Sequence, residues 1–166
     1  MQRRLMLMRH AKSSWKSQVP TDHDRPLNER GRRDAARVGK QLAKLSWVPD
    51  LVVSSDSRRT KETWERMQKH FPDVRVRFTR VLYASGPREL RSEVARLSAD
   101  VRTVLVLGHN PGWEEAVKDL SGRELRITTA NVVLLKGEGA TWREALQCGP
   151  WSVAGVVRPK QLLHVE

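Results

Sequence analysis

Leu5-Met6-Leu7-Met8-Arg9-His10-Ala11 sets four uninterrupted apolar residues directly before an arginine and a histidine. A continuous, non-alternating apolar run of this length reads as a strand covered on both faces. Strands of that kind belong to open α/β sheets, which bind ligands in the crevice outside their carboxyl ends. Histidine changes charge near neutrality and serves as nucleophile, acid or base, while a guanidinium grips phosphate with paired hydrogen bonds. Arg-His dipeptides are common, so the weight of this one depends on what else converges on it.

Further runs of the same kind follow at Leu51–Val53, Val104–Leu107 and Val132–Leu135, with Arg75–Phe78 as a more polar, outer candidate. Helical patterns separate them. Asn28 can cap a helix to about Leu45, with Ala35, Val38, Leu42 and Leu45 on one face. Ser57 to about His70 carries Trp64, Met67 and Phe71, Pro87–Leu97 carries Leu90, Val94 and Leu97, and Gly112–Leu120 carries Trp113, Ala116, Val117 and Leu120. After these come two expected strands, at 130–135 and 142–147, and a tail from Val156 to Glu166 that reads as irregular. Trp142 and Trp151 are expected in or at the rim of this last section. The order predicts an α/β fold, a three-layer α/β/α sandwich whose sheet is mainly parallel with helices on both faces.

Composition limits the function classes. The 166 residues suit a single domain, 1–166, with 39% hydrophobic and 30% charged residues. The lone Cys148 permits no intramolecular disulfide, is read as structural, and fits a cytoplasmic setting. No apolar stretch approaches the roughly 20 residues of a bilayer span, so no membrane partner is expected. The net charge of +12 suits phosphorylated substrates or nucleic acid. Only 5% of residues are aromatic, and they do not interleave with the basic residues, so no specific nucleic-acid partner is expected.

Three strand ends carry polar clusters: Arg9-His10, Ser54-Ser55-Asp56-Ser57-Arg58-Arg59-Thr60, and Gly108-His109-Asn110-Pro111-Gly112. Parallel strands would bring these to one edge, with two histidines and two arginines in a single pocket built for an anion. One histidine would attack phosphorus while the other stabilises the charge on the transferring group. The approximately 17 residues from Ala11 to Leu27 exceed the usual ~12–15 for an unstructured connection and read as a functional loop. A metal on His10, His109 and the Asp22-His23-Asp24 cluster competes with this, but neighbouring arginines repel a cation and no metal-ligand spacing occurs. Asp22 and Asp24 read as carboxylates pairing with arginine, and His23, His70 and His164 as surface residues.

Leu7-Met8-Arg9-His10-Ala11-Lys12 resembles the Arg-His-Gly/Ala signature of the histidine phosphatase superfamily, which includes phosphoglycerate mutase. The Ser54–Thr63 segment resembles its second motif in a register that selects Arg59, with Thr60 and Thr63 in the two threonine positions, and Gly108-His109 resembles the second-histidine motif. Arg9-His10-Ala11-Lys12-Ser13-Ser14-Trp15, Asp24-Arg25-Pro26-Leu27-Asn28-Glu29-Arg30-Gly31, Gly108-His109-Asn110-Pro111-Gly112 and Arg158-Pro159-Lys160 are similar to the short SixA-type phosphohistidine phosphatases.

The resemblance implies a phosphoglycerate mutase-like fold and a metal-independent, cofactor-free hydrolysis in two steps. His10 would take the phosphoryl group from phosphohistidine on a protein, and water would release it. Arg9, Arg59 and His109 would bind the phosphoryl oxygens, with Arg25 and Lys16 adding charge from the long loop. Many members supply an Asp or Glu as proton donor; none stands in the matching place after Leu82-Tyr83-Ala84-Ser85-Gly86, leaving Glu89, Asp22 or Asp24. The alternative substrate is a small phosphomonoester. A non-catalytic nucleic-acid or phosphoprotein binder is a third reading, disfavoured by the intact Arg9, His10, Arg59 and His109 set. The chain is expected to be a monomer.

Overall fold

A computed structural model describes residues 1–162. Six strands form one sheet in the order β3-β2-β4-β1-β5-β6: β1 (Gln2–Arg9), β2 (Leu51–Ser55), β3 (Arg75–Thr79), β4 (Thr103–Gly108), β5 (Val132–Glu138) and β6 (Ser152–Val157). β1, β2, β3 and β4 run parallel, whereas β5 and β6 are antiparallel to their neighbours, so the sheet is mixed. The helices are α1 (Glu29–Lys44), α2 (Arg58–Met67), α3 (Pro87–Ala95), α4 (Gly112–Ser121), α5 (Trp142–Gln147) and α6 (Pro159–Leu162).

The continuous apolar run of β1 has the structural meaning that its pattern implies. Leu5 and Leu7 join α3, α4 and α5 through Leu90, Trp113 and Trp142, while Met6 and Met8 join α1 and α2 through Val38 and Trp64. Successive side chains on a strand point to opposite faces, so both sets must be apolar when helices cover both. The three-layer architecture follows, with β1 deep inside it between β4 and β5. Among the described residues, no helix is long and apolar enough to cross a membrane.

Two expectations for the last third of the chain are corrected. Residues 142–147 are helix α5, not a strand. Thr141 Oγ1 caps it by accepting the Glu144 N–H at 3.1 Å, and Glu144 Oε2 accepts the N–H of the preceding Ala140 at 2.9 Å. Trp142, Ala145 and Leu146, one turn apart, are buried. Six residues are too few for apolar spacing alone to separate helix from strand.

The tail is also ordered: the sixth strand is Ser152–Val157, and only residues beyond 162, including His164, lie outside the described residues. Gly155 and the half-exposed residues of this edge strand gave little strand signal. Trp142 and Trp151 are buried as expected, their rings stacked 6.2 Å apart.

The long Ala11–Leu27 connection is tied at its ends. Ser14 N–H donates to Pro26 O at 2.9 Å and Asn28 N–H to Lys12 O at 3.0 Å, and Asp22–Asp24 form one 3₁₀ turn. Asn28 then caps α1 by accepting the Gly31 N–H at 2.8 Å. Gly31 lets α1 press against this loop, since a Cβ there would lie 2.1 Å from Lys12 O. On an ordinary helix Gly→Ala stabilises by about 0.5–1 kcal/mol, but backbone overlap of this kind costs about 1–3 kcal/mol. Gly31→Ala is therefore expected to lower the urea midpoint; an unchanged or raised midpoint contradicts the close approach.

Candidate active site

β1 ends by delivering Arg9 and His10 to the carboxyl edge of the sheet, where the turns after β2 and β4 also open. His10 N–H donates to Gly108 O at 3.1 Å, locking the first histidine to the turn that bears the second. The His10 ring is 6% exposed, and its Nδ1 lies 2.7 Å from Ala11 O. A carbonyl only accepts, so Nδ1 carries the proton and Nε2 presents its lone pair. Ala11 N–H in turn donates to Thr63 Oγ1 at 3.0 Å, and the Thr63 hydroxyl donates to Arg59 O at 2.7 Å. Arg59 and Thr63 are one turn apart on α2, so a single helix face braces the loop behind His10 and carries the arginine.

Arg59 sits in the first turn of α2, which Ser57 caps by accepting the Thr60 N–H. Its guanidinium is buried and donates to Asp22 O at 2.8 Å and Asp22 Oδ2 at 3.1 Å. His109 lies beside it, Nδ1 3.4 Å from Arg59 Nη2 and Nε2 2.9 Å from Ser55 Oγ. Since arginine only donates, His109 accepts at Nδ1 and donates from Nε2 to Ser55. The two histidine rings are 5.3 Å apart between centroids. Arg9 Nη1 and Asn110 Nδ2 both donate to Ile127 O, at 3.2 and 2.6 Å. Arg9 Nε and Arg59 Nε are buried without a hydrogen-bond partner among the described residues, so each arginine keeps one unsatisfied donor.

Burial and charge act together here. Desolvation pushes the His10 pKa down to about 3, and His109, Arg59 and Arg9 add to it, opposed by the Ala11 carbonyl. His109 is also pushed to about 3, again chiefly by burial and then by Arg59. Both imidazoles are neutral at pH 7. A cavity of about 680 Å³ opens beside His109, lined also by Arg59, Tyr83, Asp22, Glu89 and Glu115.

Arg9, His10, Arg59 and His109 are thus brought together, as the sequence predicts. The loop residues behave differently. Arg25 donates to Asp22 Oδ1 at 3.0 Å and to Ser13 Oγ at 2.6 Å while stacking 3.6 Å over Trp15, so it braces Asp22. Lys16 is exposed, and among the described residues no contact joins it to the four-residue cluster.

Asp22 pairs with arginine as expected but is corrected as a proton donor. Tyr83 Oη donates to it at 2.6 Å, and this bond, with Arg25 and Arg59, holds its carboxyl far below the usual range. It is therefore an anion. Asp24 accepts from Thr21 Oγ1 at 2.8 Å, away from the cluster. Glu89 lines the cavity, with Oε1 accepting the Gly86 N–H at 3.0 Å at the start of α3.

Several neighbours escaped sequence reasoning. Tyr83 stands edge-on to His109 at 5.5 Å, and His23, expected on the surface, is half-buried against it at 4.8 Å and bonded to Asp56 at 2.8 Å. Ser55, at the last position of β2, carried a signal in its place at a strand end; Tyr83 and His23 carried none. Among the described residues, no group of three or more His, Cys, Asp or Glu side chains is arranged to hold a metal ion.

Residues 5–82 match the Histidine phosphatase superfamily (branch 1). An uncharacterized chloroplastic protein of Arabidopsis thaliana is 39% identical over 98% of this chain and 81% of its own length. Among solved structures, one assigned as the phosphohistidine phosphatase SixA of Nakamurella multipartitia superposes with a TM-score of 0.84 at 31% identity, covering 96% of this chain and 97% of that one. The corresponding protein of Agrobacterium tumefaciens gives 0.81 at 25% identity, covering 95% and 98%.

Two measurements check the geometry. An unfolded histidine protonates near pH 6.5, whereas His10 and His109 in the folded chain do so only near 3, so the unfolded state binds more protons in between. Their contribution to stability is complete above about pH 6.5 and declines as pH falls towards 3. Denaturant midpoints followed downward from neutrality should fall, and His10→Asn should flatten that slope; an equal slope in the variant contradicts the buried neutral state. Thr63→Val leaves the Ala11 N–H unsatisfied and should destabilise by about 1–3 kcal/mol, with phosphatase kcat falling even where the protein remains folded. Unchanged kcat in the folded variant would remove Thr63 from the support of His10.

Proposed function

The chain belongs to the histidine phosphatase superfamily, and from that premise we propose that it is a metal-independent phosphatase hydrolysing phosphohistidine on a protein. The observation that carries this reading is the buried His10, whose Nδ1 is held by the Ala11 carbonyl so that Nε2 keeps its lone pair, within electrostatic reach of Arg9, Arg59 and His109. His10 Nε2 attacks phosphorus, the bond from phosphorus to the substrate nitrogen breaks, and that nitrogen keeps the electron pair and takes a proton. Water then attacks the phosphorylated His10, the P–Nε2 bond breaks, and inorganic phosphate leaves.

Arg9 and Arg59 are the donors to the phosphoryl oxygens, and their buried Nε–H groups gain acceptors when the anion enters. His109 flanks the same space. A phosphoryl dianion raises its pKa, reversing the pressure from Arg59, so it joins the clamp as substrate binds. We assign protonation of the leaving nitrogen to Glu89, which shares the cavity with Glu115, because Asp22 is held by Arg59, Arg25 and Tyr83 and Asp24 bonds to Thr21. A P–N bond to imidazole asks less of such an acid than a P–O bond to an alkyl alcohol, which favours phosphohistidine over small phosphate esters. The substrate histidine reaches the centre through the open cavity beside His109.

The deciding assay offers a phosphohistidine carrier protein and a generic phosphate ester, each with and without chelator. Release of phosphate from the carrier is expected to resist chelation and to fall at least about a thousandfold in His10→Ala, in line with the loss of other catalytic nucleophiles. Full activity in His10→Ala ends the nucleophile assignment, and faster turnover of the ester moves the substrate class to phosphomonoesters. Glu89→Gln should slow the ester far more than the phosphohistidine substrate if it protonates the leaving group.

A further inference from the structure

A second cavity, of about 280 Å³, is bounded by Arg9 where α1 and the residues before β5 meet the chain after β6. Its walls carry Arg9, Lys12, Arg30, Arg158 and Lys160, against a single carboxylate, Asp34. Asp34 is buried and already paired with Arg30 at 3.5 Å and Arg37 at 3.7 Å. Lys12, Arg158 and Lys160 form no ion pair among the described residues. Arg158 is nevertheless held in place, since its guanidinium donates to Asn131 Oδ1, which also accepts from Thr128 N–H and Oγ1 at 2.9 Å. Asn131 O accepts the Arg9 N–H at 3.1 Å, so the pocket and the reaction centre share a rigid wall.

Like charges concentrated in a concave, partly desolvated site repel one another, a cost that an anionic occupant relieves. The neutral amide that fixes Arg158 orients its charge without cancelling it. The cavity is too small for a second protein element and has room for a side chain that carries a carboxylate or phosphate group. We propose that this pocket is an anion subsite that takes an acidic side chain lying beside the phosphorylated residue of the substrate protein. The proposal rests on the phosphatase reading, and it assigns part of the positive charge of the chain to substrate selection. Arg9 links the two: it bounds the subsite and lies within electrostatic reach of His10 and Arg59.

Two matched phosphohistidine peptides test it, one with aspartates flanking the phosphohistidine and one with asparagines, together with the same pair built on phosphoserine. The aspartate peptide is expected to show a KM lower by about tenfold at similar kcat, the size of one charge-assisted contact. Arg158→Gln with Lys160→Gln should bring that ratio close to one while leaving turnover of the asparagine peptide unchanged. The exposed Lys160→Gln alone should reduce the ratio, which keeps the test open should the double variant fold poorly.

Equal KM values for the two peptides in the unmodified protein overturn the proposal. So does inorganic phosphate altering turnover of the asparagine peptide in the unmodified protein but not in the double variant, because that marks a site for a free anion. Turnover of the phosphoserine pair alone would count against the phosphohistidine reading, and the aspartate preference within that pair would still decide the subsite.

Discussion

The hydrogen bond from His10 Nδ1 to the Ala11 carbonyl, 2.7 Å long, is the contact on which the rest of this site depends. It selects one tautomer and one ring orientation, and it does so with the adjacent backbone, which cannot move independently. That backbone is itself pinned. Ala11 N–H is held by Thr63, His10 N–H by Gly108, and the next residue is pressed against α1 at Gly31. Each brace comes from a different element, so the ring orientation is a property of the whole packed edge of the sheet.

Burial is the second constraint. A histidine surrounded by two arginines would lose much of its proton affinity even in water, but desolvation is the larger cause for both His10 and His109. The chain achieves that burial by placing β1 at the centre of the sheet with helices on both faces. The neutral state of His10 and the apolar strand before it thus have one physical origin. Asp22 completes the balance: its carboxylate and carbonyl, positioned by Tyr83 and Arg25, hold Arg59 in the pocket. A buried guanidinium needs a partner of this kind when no substrate is present.

Much of this was legible beforehand. Arg9, His10 and His109 stand at strand ends in the sequence, the motif register selects Arg59, and Asn28 and Ser57 cap helices where their side-chain chemistry says they should. α5 and β6 were not legible, because a six-residue helix and a glycine-bearing edge strand leave too little periodic signal in a linear reading. Tyr83 and His23 were missed because their contacts join segments that are tens of residues apart in the chain.

The sequence by itself determined the layer architecture, the parallel edge that gathers the two histidines, and the anion chemistry of the arginines. Those follow from local rules: apolar runs without alternation demand cover on both faces, and consecutive parallel strands share an edge. Only the tertiary structure decided which nitrogen of His10 carries the proton, that both histidines are neutral, that Asp22 is an anion, and that a second cationic pocket adjoins Arg9. Proton affinity and electrostatic complementarity depend on distance and desolvation, and both come into being when remote segments pack together.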